Sequence, residues 1–231
     1  MKKLSLLCCI IITVILMTSN AFALEAPPSV GTPPDYYVES DGTITMRTEL
    51  GQLCDIGIMS DVGGGYYDSI TRSEMAKIIT QMYGMFDIDL YRQSVDFVDV
   101  SSRNPYSASI KFVSGSGIMN GYGDGLFLPD KDITYYEAVK TLVTVLGYEP
   151  LAVQKGGYPQ GYLKVANELG IILYPNADNY TVTKSDITDM VFKAIDTPLM
   201  KQSGFGADNQ YVIMDGKNGV ELQTLRTMLG K

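Results

Sequence analysis

The chain has no histidine and no tryptophan. The first absence removes the commonest general base and the commonest metal-ligating side chain. Cysteine is scarce. Cys8 and Cys9 fall in an N-terminal apolar run, which leaves Cys54 alone in the body of the chain. A single cysteine forms no internal disulfide, and its apolar surroundings describe a buried, inert thiol. Positive charge is also short, with 18 Lys and Arg against 26 Asp and Glu. So acidic a chain is a poor match for nucleic acid. After the N-terminal run, no apolar stretch approaches the roughly 20 residues of a membrane span.

The N-terminus reads as a processing signal. Lys2 and Lys3 precede an apolar run from Leu4 to Met17, and Ala21-Phe22-Ala23 is a small-x-small cleavage site. This predicts a secretory signal peptide over residues 1–23. Cys8 and Cys9 lie inside the apolar run, which argues against a lipoprotein. Cleavage after Ala23 leaves 208 residues, with 16 basic against 26 acidic, a net charge of −10. Residues 24–40 are a Pro-rich linker.

Self-similarity organises the rest. "ITRSEMAKIITQMYG" from Ile70 aligns with "ITYYEAVKTLVTVLG" from Ile133 and "VTKSDITDMVFKAID" from Val182. Lys77 falls on Lys140 and Gly84 on Gly147, whereas the third copy loses both. A second segment precedes each, ending at Gly57-Ile58-Met59, Gly117-Ile118-Met119 and Gly170-Ile171-Ile172. Ala76, Ile79 and Tyr83 lie at helical spacing, as do Val139, Leu142, Val143 and Leu146, and Tyr162, Val165, Ala166 and Leu169. Gly84 and Gly147 stand where left-handed C-terminal caps belong. The pattern predicts an all-α fold of helix–loop–helix repeats, each burying its apolar stripe against the others.

T-x-x-acid before an apolar run is a capping box. The Thr hydroxyl accepts a backbone N–H three residues on, and the acid reaches back to the Thr N–H. Thr71 with Glu74, Thr134 with Glu137 and Thr183 with Asp186 fit, each contributing about 0.5–2 kcal/mol. Capping explains the Thr and the acid. It leaves out Arg72 and Lys184, because a cation in the first turn opposes the helix dipole. Tyr135 occupies that place in the second copy.

These residues carry a resemblance. "FVDV" at Phe97–Val100, "IKFVSGSGIMNGYGDGLFLPDKDIT" at Ile110–Thr134 and "YEAVKTLVTVLGY" to Tyr148 resemble the S-layer homology (SLH) domains of bacterial surface proteins. "GGYPQGYLKVANELGI" with "KAIDTPLM" resembles the third copy of a clostridial-type arrangement. The resemblance implies three tandem SLH repeats in a pseudo-threefold helical spindle, at residues 41–90 (with a shortened loop), 95–150 and 155–200. It implies a secreted module of the cell wall or S-layer that holds a secondary cell-wall polysaccharide, often carrying pyruvate ketals, without a covalent bond. By the same resemblance Arg72 and Lys184, beside Thr71 and Thr183, border the binding grooves, and Asp99 hydrogen-bonds sugar. The loop rings of Tyr122, Tyr66 and Tyr67 read either as faces that stack on sugar or as packing. Asp99 reads equally well as a cap. The family's usual Trp is missing, and Pro105-Tyr106 stands near its place. Neither cofactor nor metal is implied.

Other readings compete with polysaccharide anchoring. The repeats, lacking that Trp and with Tyr135 for a cation, also fit a degenerate module for protein–protein assembly with other surface-layer proteins. A wall-active enzyme fits less well. No acid pair sits in a recognisable catalytic motif, and the 31 residues after Met200 are too few for a catalytic domain. Residues 201–231 are a tail or the start of a further domain. "MDGKNGVELQTLRTML" there has the outline of a calcium loop, but its oxygen ladder is incomplete. The residues favour a turn before an amphipathic helix carrying Val220, Leu222, Leu225 and Leu229.

Overall fold

The apolar stripes become helices in the computed structural model, which describes residues 36–38, 44–46, 48–60, 62, 64–88, 96–204 and 210–230. The expected signal peptide and most of the linker lie outside the described residues. Three helix pairs follow one another: α1 (Thr48–Asp55) and α2 (Arg72–Met82), α3 (Ser107–Gly115) and α4 (Tyr135–Val145), α6 (Gln160–Glu168) and α7 (Lys184–Ala194). Between the second and third pairs lies α5 (Glu149–Gln154), which the sequence reading missed. It is too short to show a period, and Pro150 in its first turn suits a helix start.

The fold is mostly helical, but not wholly so. Strand β1 (Tyr36–Val38) pairs antiparallel with β2 (Ile44–Met46), and β3 (Met200–Gly204) with β4 (Gln210–Ile213). The second ladder corrects the expectation of a helical tail. Val212 and Ile213 are β-branched and favour strand. Asp215 then bridges to Leu222, so the expected helix shrinks to α8 (Leu225–Met228).

The second helices supply the core. Met75, Ala76, Ile78, Ile79 and Met82 of α2, and Ala138, Val139, Leu142 and Val143 of α4, are fully buried. So are Ile187, Val191 and Ala194 of α7. Each second helix packs on the first helix of another pair: α2 on α3, α4 on α6, and α7 on α1. No helix pair buries its stripe alone.

The loops entering the second helices repeat this order in backbone hydrogen bonds. Ile133 N donates to Ile70 O (2.9 Å), Val182 N to Ile133 O (3.2 Å) and Ile70 N to Val182 O (3.2 Å). These three residues hold equivalent places, so the bonds close a ring. Two residues further on, donation runs the other way round the ring: Arg72 N donates to Lys131 O, Tyr135 N to Tyr180 O and Lys184 N to Asp68 O. Orphan N–H groups of each helix start are thereby satisfied by the following repeat's loop.

At the opposite end, α2 and α4 stop at left-handed glycines, Gly84 (φ +77°) and Gly147 (φ +84°). Met85 N bonds back to Thr80 O and Tyr148 N to Val143 O, both at 2.9–3.0 Å, as a Schellman cap requires. Helix α7 has no such glycine. There the tail supplies the donor, Arg226 N to Ile195 O (3.0 Å). The Arg226 guanidinium clamps the Asp196 carboxylate at 2.6 and 3.0 Å, and Leu225 is fully buried beside it.

Candidate functional site

The capping boxes form as their spacing dictates. Thr71 N donates to Glu74 Oε2 (2.8 Å) and Glu74 N to Thr71 Oγ1 (3.3 Å). Thr183 N donates to Asp186 Oδ2 (2.8 Å) and Asp186 N to Thr183 Oγ1 (3.2 Å). The polar atoms of Thr71 and Thr183 thus serve their own helices. Thr134 N and Oγ1 likewise donate to Glu137 Oε2, at 2.9 and 3.0 Å.

Arg72 follows Thr71 and points across to the second repeat. It is 4% exposed. Its Nε donates to Phe127 O (2.9 Å) and its Nη2 to Asn120 O (2.8 Å). Nη1 lies 3.9 Å from Glu137 Oε1. The guanidinium carbon sits 4.7 Å from the Tyr122 ring centre and 4.6 Å from that of Phe127. Burial lowers the Arg72 pKa from its ordinary value, while Tyr122 and Glu137 act to raise it. Arginine remains a cation under such a shift.

Tyr122 completes a network around Glu137. Its hydroxyl donates to Glu137 Oε1 and accepts from Lys131 Nζ at 2.8 Å. Lys131 Nζ also lies 4.1 Å from the Tyr122 ring centre. Burial pushes the Glu137 carboxyl up, but bonds from Tyr122 and Thr134 and the charge of Arg72 outweigh it and leave the pKa below 4.5. The cap of α4 is therefore also a strap onto the loop.

Beside this network a cavity of about 290 Å³ opens between the first two repeats, with Arg72, Gly121, Tyr122, Glu137, Lys140 and Tyr158 on its walls. Lys140 has no hydrogen-bond or ion-pair partner among the described residues. Tyr158 is half exposed. The sequence reading missed both. Lys140 aligns with Lys77, yet Lys77 is buried and donates to Phe86 O (3.1 Å). Tyr158 arrives from the turn after α5, an element without a counterpart in the other repeats among the described residues.

Between the second and third repeats the wall is aromatic. The Tyr135 hydroxyl reaches Tyr174 O at 3.4 Å, and its ring stacks on Tyr180 at 5.1 Å and 15°. Burial, then Asp186, push the Tyr180 hydroxyl up to about 12. Leu173 and Tyr174 are largely exposed. Between the third and first repeats, Lys184 Nζ donates to Val62 O (2.9 Å). Tyr66 is buried and meets Tyr67 edge-on at 5.3 Å.

Asp99 lies apart from the cavity walls. It accepts from Phe127 N (2.9 Å) and Leu128 N (2.7 Å), pinning the far side of the loop that Arg72 holds. Of the expected site residues, Arg72 and Tyr122 come together in the groove, Asp99 supports their loop, and Thr71 and Thr183 cap. Among the described residues there is no cluster of His, Cys, Asp or Glu fit to hold a metal. None of their helices is long and apolar enough to cross a membrane.

The repeats are thus strapped to one another by side chains, with a cavity between the first two. Residues 96–139 match the S-layer homology domain, so the chain carries that domain across its second repeat. Along most of its length it is similar to the middle cell wall protein of Brevibacillus brevis, at 31% identity over 197 residues, 84% of this chain and 18% of the relative. It is 27% identical over 201 residues to the surface layer protein of Brevibacillus choshinensis, covering 85% and 18%. A shorter match, 34% over 71 residues, joins it to the cellulosome-anchoring protein of Acetivibrio thermocellus, covering 30% of this chain and 16% of that one. The chain thus spans less than a fifth of these relatives' length.

Proposed function

We propose that this chain is a non-catalytic module that anchors a secreted protein to the cell envelope by binding a secondary cell-wall polysaccharide. Its three tandem repeats act as one pseudo-threefold spindle, with grooves between neighbours. The observation that carries the reading is the cavity between the first two repeats. Lys140, a cation without a partner among the described residues, and a half-exposed ring, Tyr158, share its wall with the buried Arg72. An ammonium suits a carboxylate such as a pyruvate ketal, and an open ring face suits a sugar. Local positive charge is needed because the chain as a whole carries −8 and repels an anionic polymer, at a range set by salt. The cell wall or S-layer is its place, in keeping with the surface proteins it resembles.

The test is sedimentation with purified cell walls, with and without the accessory polymer. Binding that disappears when the polymer is stripped supports the reading. Binding unaffected by stripping overturns the polymer as ligand. Arg72→Ala is expected to weaken binding more than Tyr135→Ala, since Arg72 borders the cavity with the cation.

A second reading, assembly with other surface-layer proteins, draws on the exposed Leu173 and Tyr174 in the third repeat's loop. Self-association or co-sedimentation with surface-layer protein in the absence of wall polymer would favour it.

A further inference from the structure

We infer that the first residue of each second helix is a positioning residue, which holds the next repeat's loop by donating a hydrogen bond to it. The inference rests on the anchoring reading only in that the loops so held border the proposed grooves. Arg72, Tyr135 and Lys184 share neither charge nor shape. What they share is a donor at the end of a long side chain. Each donor meets a backbone carbonyl in the following repeat: Arg72 at Asn120 O and Phe127 O, Tyr135 at Tyr174 O, Lys184 at Val62 O. The order runs first to second, second to third, third to first. It is the order in which the helix-start N–H groups of Arg72, Tyr135 and Lys184 donate, and the reverse of the backbone ring through Ile70, Ile133 and Val182, where each residue donates to the preceding repeat.

The chemistry explains why unlike residues serve. Phe127 and Val62 are buried, and a buried carbonyl left without a donor costs free energy; a guanidinium, a phenol or an ammonium can each supply the donor. A cation here opposes the helix dipole, so charge is not what the position rewards. Arg72 shows the role most fully. Asn120 and Phe127 flank a tight turn closed by Tyr122 N to Leu126 O (2.8 Å) and Leu126 N to Gly123 O (2.9 Å). Arg72 bonds both flanks at once, so it staples the loop that carries Tyr122. With Nε and Nη2 engaged and the side chain buried, its effect on a ligand passes through that loop.

The test is hydrogen–deuterium exchange of the full chain, paired with wall sedimentation. Arg72→Ala is expected to speed exchange across 120–128 by about tenfold or more, a local opening, and to weaken wall binding in parallel. Arg72→Lys, which keeps one donor, falls between. Tyr135→Phe speeds exchange near 174–180, and Lys184→Met near 62–68, each in the following repeat. Wall binding lost in Arg72→Ala with loop exchange unchanged makes Arg72 a direct ligand contact and overturns the inference. So does faster exchange confined to the substituted residue's own repeat. Should Arg72→Ala not fold, the Tyr135 and Lys184 variants decide by the same criterion. If the unsubstituted chain binds no walls, the anchoring reading fails, while the exchange pattern still decides the positioning role.

Discussion

Ile70 donates its backbone N–H to the carbonyl of Val182 at 3.2 Å, joining the start of the first second-helix to the start of the last. With the bonds from Val182 to Ile133 and from Ile133 to Ile70, it makes a closed circuit rather than an open stack. In a linear repeat protein each unit contacts only its neighbours, and unfolding can begin at an end. A ring has no end. Ile133 is fully buried, so Ile133→Ala should cost about 2–5 kcal/mol. Urea transitions followed by far-UV circular dichroism and tyrosine fluorescence should stay coincident in the variant. A separate early transition for one repeat would contradict the ring as a cooperative unit.

Glu137 gives a pH dependence with a definite sign. Burial raises its carboxyl pKa, yet the bonds from Tyr122 and Thr134 and the charge of Arg72 prevail, and the folded value lies below 4.5. A depressed pKa stabilises the fold above the unfolded value, and that contribution is lost as pH falls from about 4.5 through the folded value. Thermal melts in this acidic window should show the unsubstituted chain losing stability faster than Glu137→Gln, which keeps an acceptor but does not titrate there. Equal slopes would mean that the network does not favour the ionised form.

Gly147 tests the contact between tail and bundle. A Cβ there would come within 2.0 Å of Met200 O, at φ +84°. Gly170 has a similar φ of +74° with nothing within 4 Å of its Cβ position. Both Gly→Ala changes incur left-handed strain of about 1–2 kcal/mol. Gly147→Ala must also move the tail, so it should be the more destabilising and should hasten proteolysis after Leu199. Equal effects in the two variants would show that the tail does not press on this turn.

What the sequence disclosed and what it hid divide by reach. Thr71 and Glu74 are three positions apart, so their reciprocal bonds follow from spacing alone. The glycines at 84 and 147 sit directly after their helices and were equally legible. The partners of Arg72 lie 48 and 55 positions away, and no local pattern names them. The same holds for Asp99, whose acceptor role toward Phe127 and Leu128 is a long-range closure. The tail was misread for a related reason. Val220, Leu222, Leu225 and Leu229 have a helical period, but Asp215 and Leu222 bridge in extended form, and tertiary pairing overrode the local preference.

The two aligned lysines offer the sharpest discrimination between fold and function. Lys77 and Lys140 hold the same register in their helices, and sequence alone gives them one role. Lys77 is buried against Phe86 O, so Lys77→Ala should cost roughly 1–3 kcal/mol of stability by leaving that carbonyl unsatisfied. Lys140 lines the cavity without a partner among the described residues, so its truncation should change stability by no more than about 0.5 kcal/mol. A charge-assisted hydrogen bond to a ligand is worth about 1.5–3 kcal/mol, which corresponds to roughly a ten- to hundredfold loss of wall affinity in Lys140→Ala. Denaturant melts and sedimentation on both variants measure the two quantities side by side. Stability should fall in one and binding in the other. Undiminished wall binding in a folded Lys140→Ala would move the ligand out of this cavity, and attention would pass to the aromatic wall formed by Tyr135 and Tyr180.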